Sequence, residues 1–193
     1  MFRKIAKKIL TKSPKTYTAI HTANFERTHK QDFSKLEKNE KELLEEIQKN
    51  GYVVIEDFFD EEFCQQCIKE MDLMYKNKKQ FVHEDDYGDS RIFGAEDLSE
   101  NIKKFYEHPL LNRLANAYSA VTTCCGFTLA GRIKASGIEY GSGGPWHRDS
   151  YFRQFKSLIY LTDVSENNGP FQIIRGSHKS NQISQDTKSG KLT

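Results

Sequence analysis

Helical spacing dominates the first half of the chain and strand-like alternation the second. Leu36, Leu43, Leu44 and Ile47 recur at helical intervals through residues 34–50, and Gly51 is placed to end that helix in a left-handed turn. Tyr52-Val53-Val54-Ile55 then predicts a buried strand. Asp60 can cap a second helix, with Glu61 and Glu62 in its first turn and Phe63, Cys67, Met71, Met74 and Tyr75 on its inner stripe. A charged, turn-rich stretch covers 76–90. A helical region follows over 99–120 and breaks near Pro109, whose ring resists a helix interior but suits a first turn; His108 belongs to that junction. Strand patterns then occupy 124–130, 132–140, 157–164 and 171–174, with Asn167-Asn168-Gly169-Pro170 as the turn between the last two. Helices first and short strands afterwards indicate α+β, with amino-terminal helices packed against a mostly antiparallel sheet.

At 193 residues and 22.4 kDa the chain suits one compact domain with an extension, divided here into a basic, flexible extension over 1–33 and a folded unit over 34–193. The net charge of +2 conceals an asymmetry. Residues 1–30 hold eight Lys or Arg and one acid, so the remainder carries 21 bases against 26 acids. An acidic folded part is a poor match for nucleic acid. Phe2, Ile5, Ile9 and Leu10 among Arg3, Lys4, Lys7, Lys8 and Lys12 allow weak peripheral contact with an anionic membrane, but so short a stripe favours a solvated extension. No apolar run approaches the roughly 20 residues of a membrane span. Four cysteines without a visible secretory signal point to a reducing, cytoplasmic setting. Cys64 and Cys67 lie within the second helix, where core packing accounts for them better than zinc or redox chemistry; Cys124 and Cys125 are adjacent in an expected strand. His83 stands among Glu84, Asp85 and Asp86, a cluster read as solvated loop.

The segment with definite chemistry is His147-Arg148-Asp149, entered through Gly141-Ser142-Gly143-Gly144-Pro145-Trp146. In extended chain, residues two apart share a face, so an imidazole and a carboxylate can close on one metal ion. Two histidines and one carboxylate on one face of an octahedron leave three positions open, the arrangement of non-haem Fe(II) oxygenases, and the third ligand must come from elsewhere. Arg132 and Lys134, two apart on the preceding strand, either face a barrel interior, where a bound carboxylate would relieve their charge, or form a solvent-facing pair on an edge strand. Trp146, Tyr151, Phe152 and Phe155 surround the motif as pocket walls for a small organic substrate or as core.

Trp146-His147-Arg148-Asp149-Ser150-Tyr151-Phe152, Leu158-Ile159-Tyr160-Leu161-Thr162-Asp163-Val164, Asn167-Asn168-Gly169-Pro170-Phe171 and Gly176-Ser177-His178-Lys179 together resemble the phytanoyl-CoA dioxygenase family. Residues 51–58 resemble its amino-terminal opening, and the likeness spans about residues 36–180. The resemblance implies a double-stranded β-helix (jelly roll, cupin-like), Fe(II) held by His147, Asp149 and a distal His, and 2-oxoglutarate and O2 as cosubstrates in hydroxylation of a C–H bond. His178 is assigned to a loop rather than to the metal, and Arg175, standing where relatives commonly have Pro, is expected to loosen that loop. The family's distal His, and the Arg that clamps the cosubstrate's far carboxylate, are expected past Thr193, which makes the chain the amino-terminal part of a longer oxygenase with half a barrel. A different class, a non-catalytic remnant or interaction module whose half barrel is completed by a partner, is separated by its indifference to iron and 2-oxoglutarate. A cupin-like isomerase or storage protein is the weakest reading, because such sites draw on more histidines.

Overall fold

The computed structural model describes residues 33–84, 89–120, 126–133, 146, 147, 149 and 153–179, together with the isolated positions 20, 24, 27 and 28. The basic stretch at the amino terminus therefore lies almost wholly outside the described residues, as do Cys124, Cys125, Lys134, Tyr151 and Phe152.

Helix α1 (Lys38–Asn50) begins four residues later than the apolar spacing suggested, because Glu37 and Glu40 form a reciprocal capping box that defines the first turn. It ends as expected: Gly51 sits at φ 93°, and its amide bonds the Ile47 carbonyl at 2.8 Å. Helix α2 (Glu61–Asn77) starts where Asp60 accepts a hydrogen bond from the Phe63 amide at 2.8 Å, and it buries Cys67, Met71 and Met74. The helical region before the strands is two helices, α3 (Glu100–Tyr106), capped by Ser99, and α4 (Pro109–Ser119), with Pro109 in its first turn and His108 at the junction. His108 packs against Phe58 and Phe59, at ring centroid distances of 4.7 and 5.6 Å, while Phe59 stacks on Phe63 at 4.0 Å. Burial among these rings, and secondarily the nearby Arg113 charge, lowers the His108 pKa.

Three strands form one antiparallel sheet in the order β1 (Val82–Glu84), β2 (Ser90–Phe93), β3 (Leu129–Arg132). The register sets Ile92 opposite Ala130, so both point to the same face. There they meet Cys67, Met71 and Met74 of α2 and Ile102 of α3 in one core. A second core joins Leu36, Leu44 and Ile47 on the α1 side to Leu114, Ala117 and Tyr118 of α4. Between α1 and α4 the buried Glu40 carboxylate accepts two hydrogen bonds from the Arg113 guanidinium, at 3.0 and 2.5 Å.

The α+β assignment holds as helices against a small antiparallel sheet, but the strand expectations need correction. Strand β1 lies in the stretch read as turn-rich and β2 begins at its last residue, Ser90; neither was expected, because three or four residues alternating with charge give a weak strand signal. His83 is thus an exposed strand residue opposite Arg91 rather than part of a loop. The segments 52–55, 157–164 and 171–174 carry no strand assignment among the described residues, and Val54, Leu158 and Phe171 are 71%, 65% and 69% exposed. Alternation marks a chain suited to a half-buried surface, but a ladder requires a neighbouring strand in register. The turn between the last two segments does form: Glu166–Asn168 is one 3-10 turn capped by Ser165, Gly169 follows at φ 72°, and the Phe171 amide bonds the Tyr160 hydroxyl at 2.7 Å. A double-stranded β-helix is not delineated by the described residues.

Candidate active site

The site is approached from α4. Arg153 donates to the Tyr118 carbonyl at 3.1 Å and lies over the Tyr118 ring at 5.5 Å, while the Phe155 ring sits 6.1 Å from the same ring. In this extended stretch Arg153 and Phe155 are partly buried and Gln154 and Lys156 exposed, the period of two that seats one face on the helix. Immediately after that seat, the Lys156 ammonium bonds Oδ2 of Asp149. The other carboxylate oxygen, Oδ1, is 3.2 Å from Nε2 of His147.

The sequence-predicted pair is therefore brought together, half-exposed, at 44% and 49% side-chain exposure. The Asp149 carboxyl is held below the ordinary aspartate value, foremost by the Lys156 hydrogen bond and further by the Lys156 and His147 charges, against some burial. It is an ionised, acceptor-only group at neutral pH. Two cis ligands of one octahedral ion, each bonded at about 2.1–2.2 Å, stand about 3.0–3.1 Å apart. The observed Nε2 to Oδ1 separation of 3.2 Å fits such a pair, and imidazole nitrogen with carboxylate oxygen is a donor set that Fe(II) accepts. Among the described residues no group of three or more His, Cys, Asp or Glu is assembled.

Trp146, beside His147, is half-exposed. Arg132 has an internal counter-ion: its guanidinium contacts Asp72 of α2 and lies 4.8 Å over the Tyr75 ring. Arg132 thus shares the α2-facing side of β3 with Ala130, at the edge of the sheet among the described residues. Cys67 packs in the core, where burial pushes its thiol up to about 11; Cys64 is also free, its thiol raised first by burial and then by Asp60 and Glu61.

The Gly-Ser-His-Lys loop docks on the end of α1. The Gly176 amide bonds the Asn50 carbonyl at 2.7 Å, Arg175 Nε bonds Asn50 Oδ1 at 2.7 Å, and His178 Nε2 lies 2.9 Å from the Gln48 carbonyl. His178 thus takes the loop role expected of it, while the expectation for Arg175 is overturned: the guanidinium adds a tie where a looser loop was anticipated.

Sequence reasoning missed Lys156. Along an uninterrupted extended chain, residues seven apart face opposite sides, so alternation alone separates Lys156 from Asp149. No residue type between them announces their contact.

The described residues thus form a helical layer over a small antiparallel sheet, with the His147 imidazole and the Asp149 carboxylate brought into contact. The model of the Phytanoyl-CoA dioxygenase (PhyH) family matches residues 47–190, and the chain belongs to that family. The family is one of dioxygenases, of cupin or jelly-roll fold, generally dependent on Fe(II) and 2-oxoglutarate. No curated protein and no solved structure matches the chain.

Proposed function

We propose that this protein is an Fe(II)/2-oxoglutarate-dependent dioxygenase that hydroxylates a small organic substrate, with His147 and Asp149 as two of its metal ligands. The observation that carries this reading is the 3.2 Å approach of His147 Nε2 to Asp149 Oδ1 inside the span matched by the family. When bound, Fe(II) with 2-oxoglutarate and O2 supplies the oxidising power: the cosubstrate becomes succinate and CO2, and one oxygen atom enters a C–H bond of the substrate. The chain's own part is to hold an ionised carboxylate beside an imidazole on a stretch seated against α4. Trp146, Tyr151 and Phe152 are proposed as pocket walls, and Lys134 as the cation for the cosubstrate's carboxylate, since Asp72 already neutralises Arg132. The apolar residues of 157–164 and 171–174 are proposed to line a jelly-roll wall.

The test is anaerobic addition of Fe(II) and 2-oxoglutarate to the full chain, followed by visible absorption. Chelation of a metal-bound keto acid gives a charge-transfer band, which His147→Ala and Asp149→Ala should abolish. A wild-type chain that gives no band, or alanine variants that keep it, overturns the assignment.

Exposure of Val54, Leu158 and Phe171 on segments without a ladder favours one other reading, an interaction module whose sheet is completed by a partner strand. A stoichiometric oligomer by native mass that ignores iron and 2-oxoglutarate would support it over catalysis.

A further inference from the structure

We infer that Lys156 is a positioning residue for Asp149, fixing which carboxylate oxygen is presented beside His147. The inference rests on the metal-site reading above and adds a residue to it. The two oxygens of Asp149 are used differently: Oδ2 is taken by the Lys156 ammonium, while Oδ1 faces His147 Nε2. With one oxygen committed, the carboxylate offers the other, and single-oxygen ligation beside the imidazole follows.

An exposed lysine-carboxylate pair in isolation contributes little, because a long side chain must be immobilised to make it. Here the backbone has been immobilised first. Arg153 and Phe155, directly before Lys156, are both seated on Tyr118, itself only 9% exposed in the core between α1 and α4. The lysine therefore reaches Asp149 from a fixed base, and rotation of the carboxylate is restrained from the helical layer.

Charge and orientation predict opposite results, which makes the inference decidable. If Lys156 acted only as a positive charge, its removal would tighten binding of a cation. If it orients Asp149, its removal weakens binding, by about 10–100-fold as for other partners behind metal ligands. The experiment is Co(II) titration of the full chain in the presence of 2-oxoglutarate, read by visible absorption, for wild type, Lys156→Gln, Lys156→Arg, His147→Ala and Asp149→Ala, with thermal melts to compare folding. The expected result is a 10–100-fold loss in Lys156→Gln, substantial recovery in Lys156→Arg, and no detectable site in the two alanine variants. Tighter or unchanged binding in Lys156→Gln, or Lys156→Arg as weak as Lys156→Gln, overturns the positioning role while leaving the metal site standing. Wild type that takes up no Co(II), or alanine variants that bind like wild type, overturns the site reading and this inference with it.

Discussion

Replacing Gly51 by alanine tests whether the Gly-Ser-His-Lys loop is docked on α1 as described. Two costs arise at one atom. Gly51 holds φ 93°, in the left-handed region where a Cβ crowds the following carbonyl, at about 1–2 kcal/mol. That Cβ would also lie 2.7 Å from Nδ1 of His178, closer than any van der Waals contact, so the ring must move. Moving it gives up the bond between His178 Nε2 and the Gln48 carbonyl, about 1 kcal/mol. The sum is about 2–3 kcal/mol, which at a typical denaturant slope of about 1.5–2 kcal/mol per M lowers the urea midpoint by about 1–2 M. A double-mutant cycle separates the parts. In a His178→Ala background the ring is gone, and Gly51→Ala should cost only the backbone strain, leaving a coupling of about 1 kcal/mol between the positions. Equilibrium urea unfolding followed by circular dichroism provides the four free energies. If Gly51→Ala costs the same with and without His178, the two groups are not in contact and the docking of 175–179 on α1 is wrong.

The acid limb of stability should fall in two stages. His108 is neutral in the fold with its pKa below the ordinary 6.5, so the unfolded chain takes up the proton first, and stability declines as pH falls from about 6.5 through the folded value. Glu40 is held below its ordinary 4.5, foremost by the Arg113 hydrogen bond; its contribution is present above that pH and lost as pH falls through the lower folded value. Urea unfolding from pH 8 to pH 3 measures both, and Glu40→Gln should lower stability at neutral pH and flatten the second stage; an unchanged slope there refutes the Glu40 assignment. Cys67, 2% exposed with its thiol near 11, should resist iodoacetamide until global unfolding, while Cys64 is alkylated in the native state; mass spectrometry of timed samples checks this, and equal rates would contradict the burial described for Cys67. Asp72→Ala removes the counter-ion of Arg132 and should leave Co(II) affinity at His147 and Asp149 within about twofold of wild type, because Asp72 is an exposed residue of α2 that meets β3 and not that pair; a larger loss would tie Arg132 to the site after all.

Features written in adjacent residues were legible in the sequence. The stops and starts at Gly51, Asp60 and Pro109, and the turn at 167–170, depend on local backbone chemistry that a few residue types disclose. The His-x-Asp pair was legible for the same reason, since its spacing of two sets its geometry. Features that depend on distant partners were not. Arg132 meets Asp72 across 60 positions and Arg113 meets Glu40 across 73, and nothing along the chain marks either match. Strands β1 and β2 were hidden because charged residues alternate through them, and their stability comes from α2 packing on Ile92. At 157–164 and 171–174 the converse holds: apolar alternation is present without a strand assignment, because a ladder partner is a property of the assembled sheet.

Tyr118 stands at a crossing in the molecule: one side belongs to the packing between two helices, the other receives Arg153 and Phe155 just ahead of the lysine that grips Asp149. Mechanical slack introduced deep among Leu44, Ile47 and Leu114 would thus reach Tyr118 and, through Arg153 and Phe155, the contact between Lys156 and Asp149.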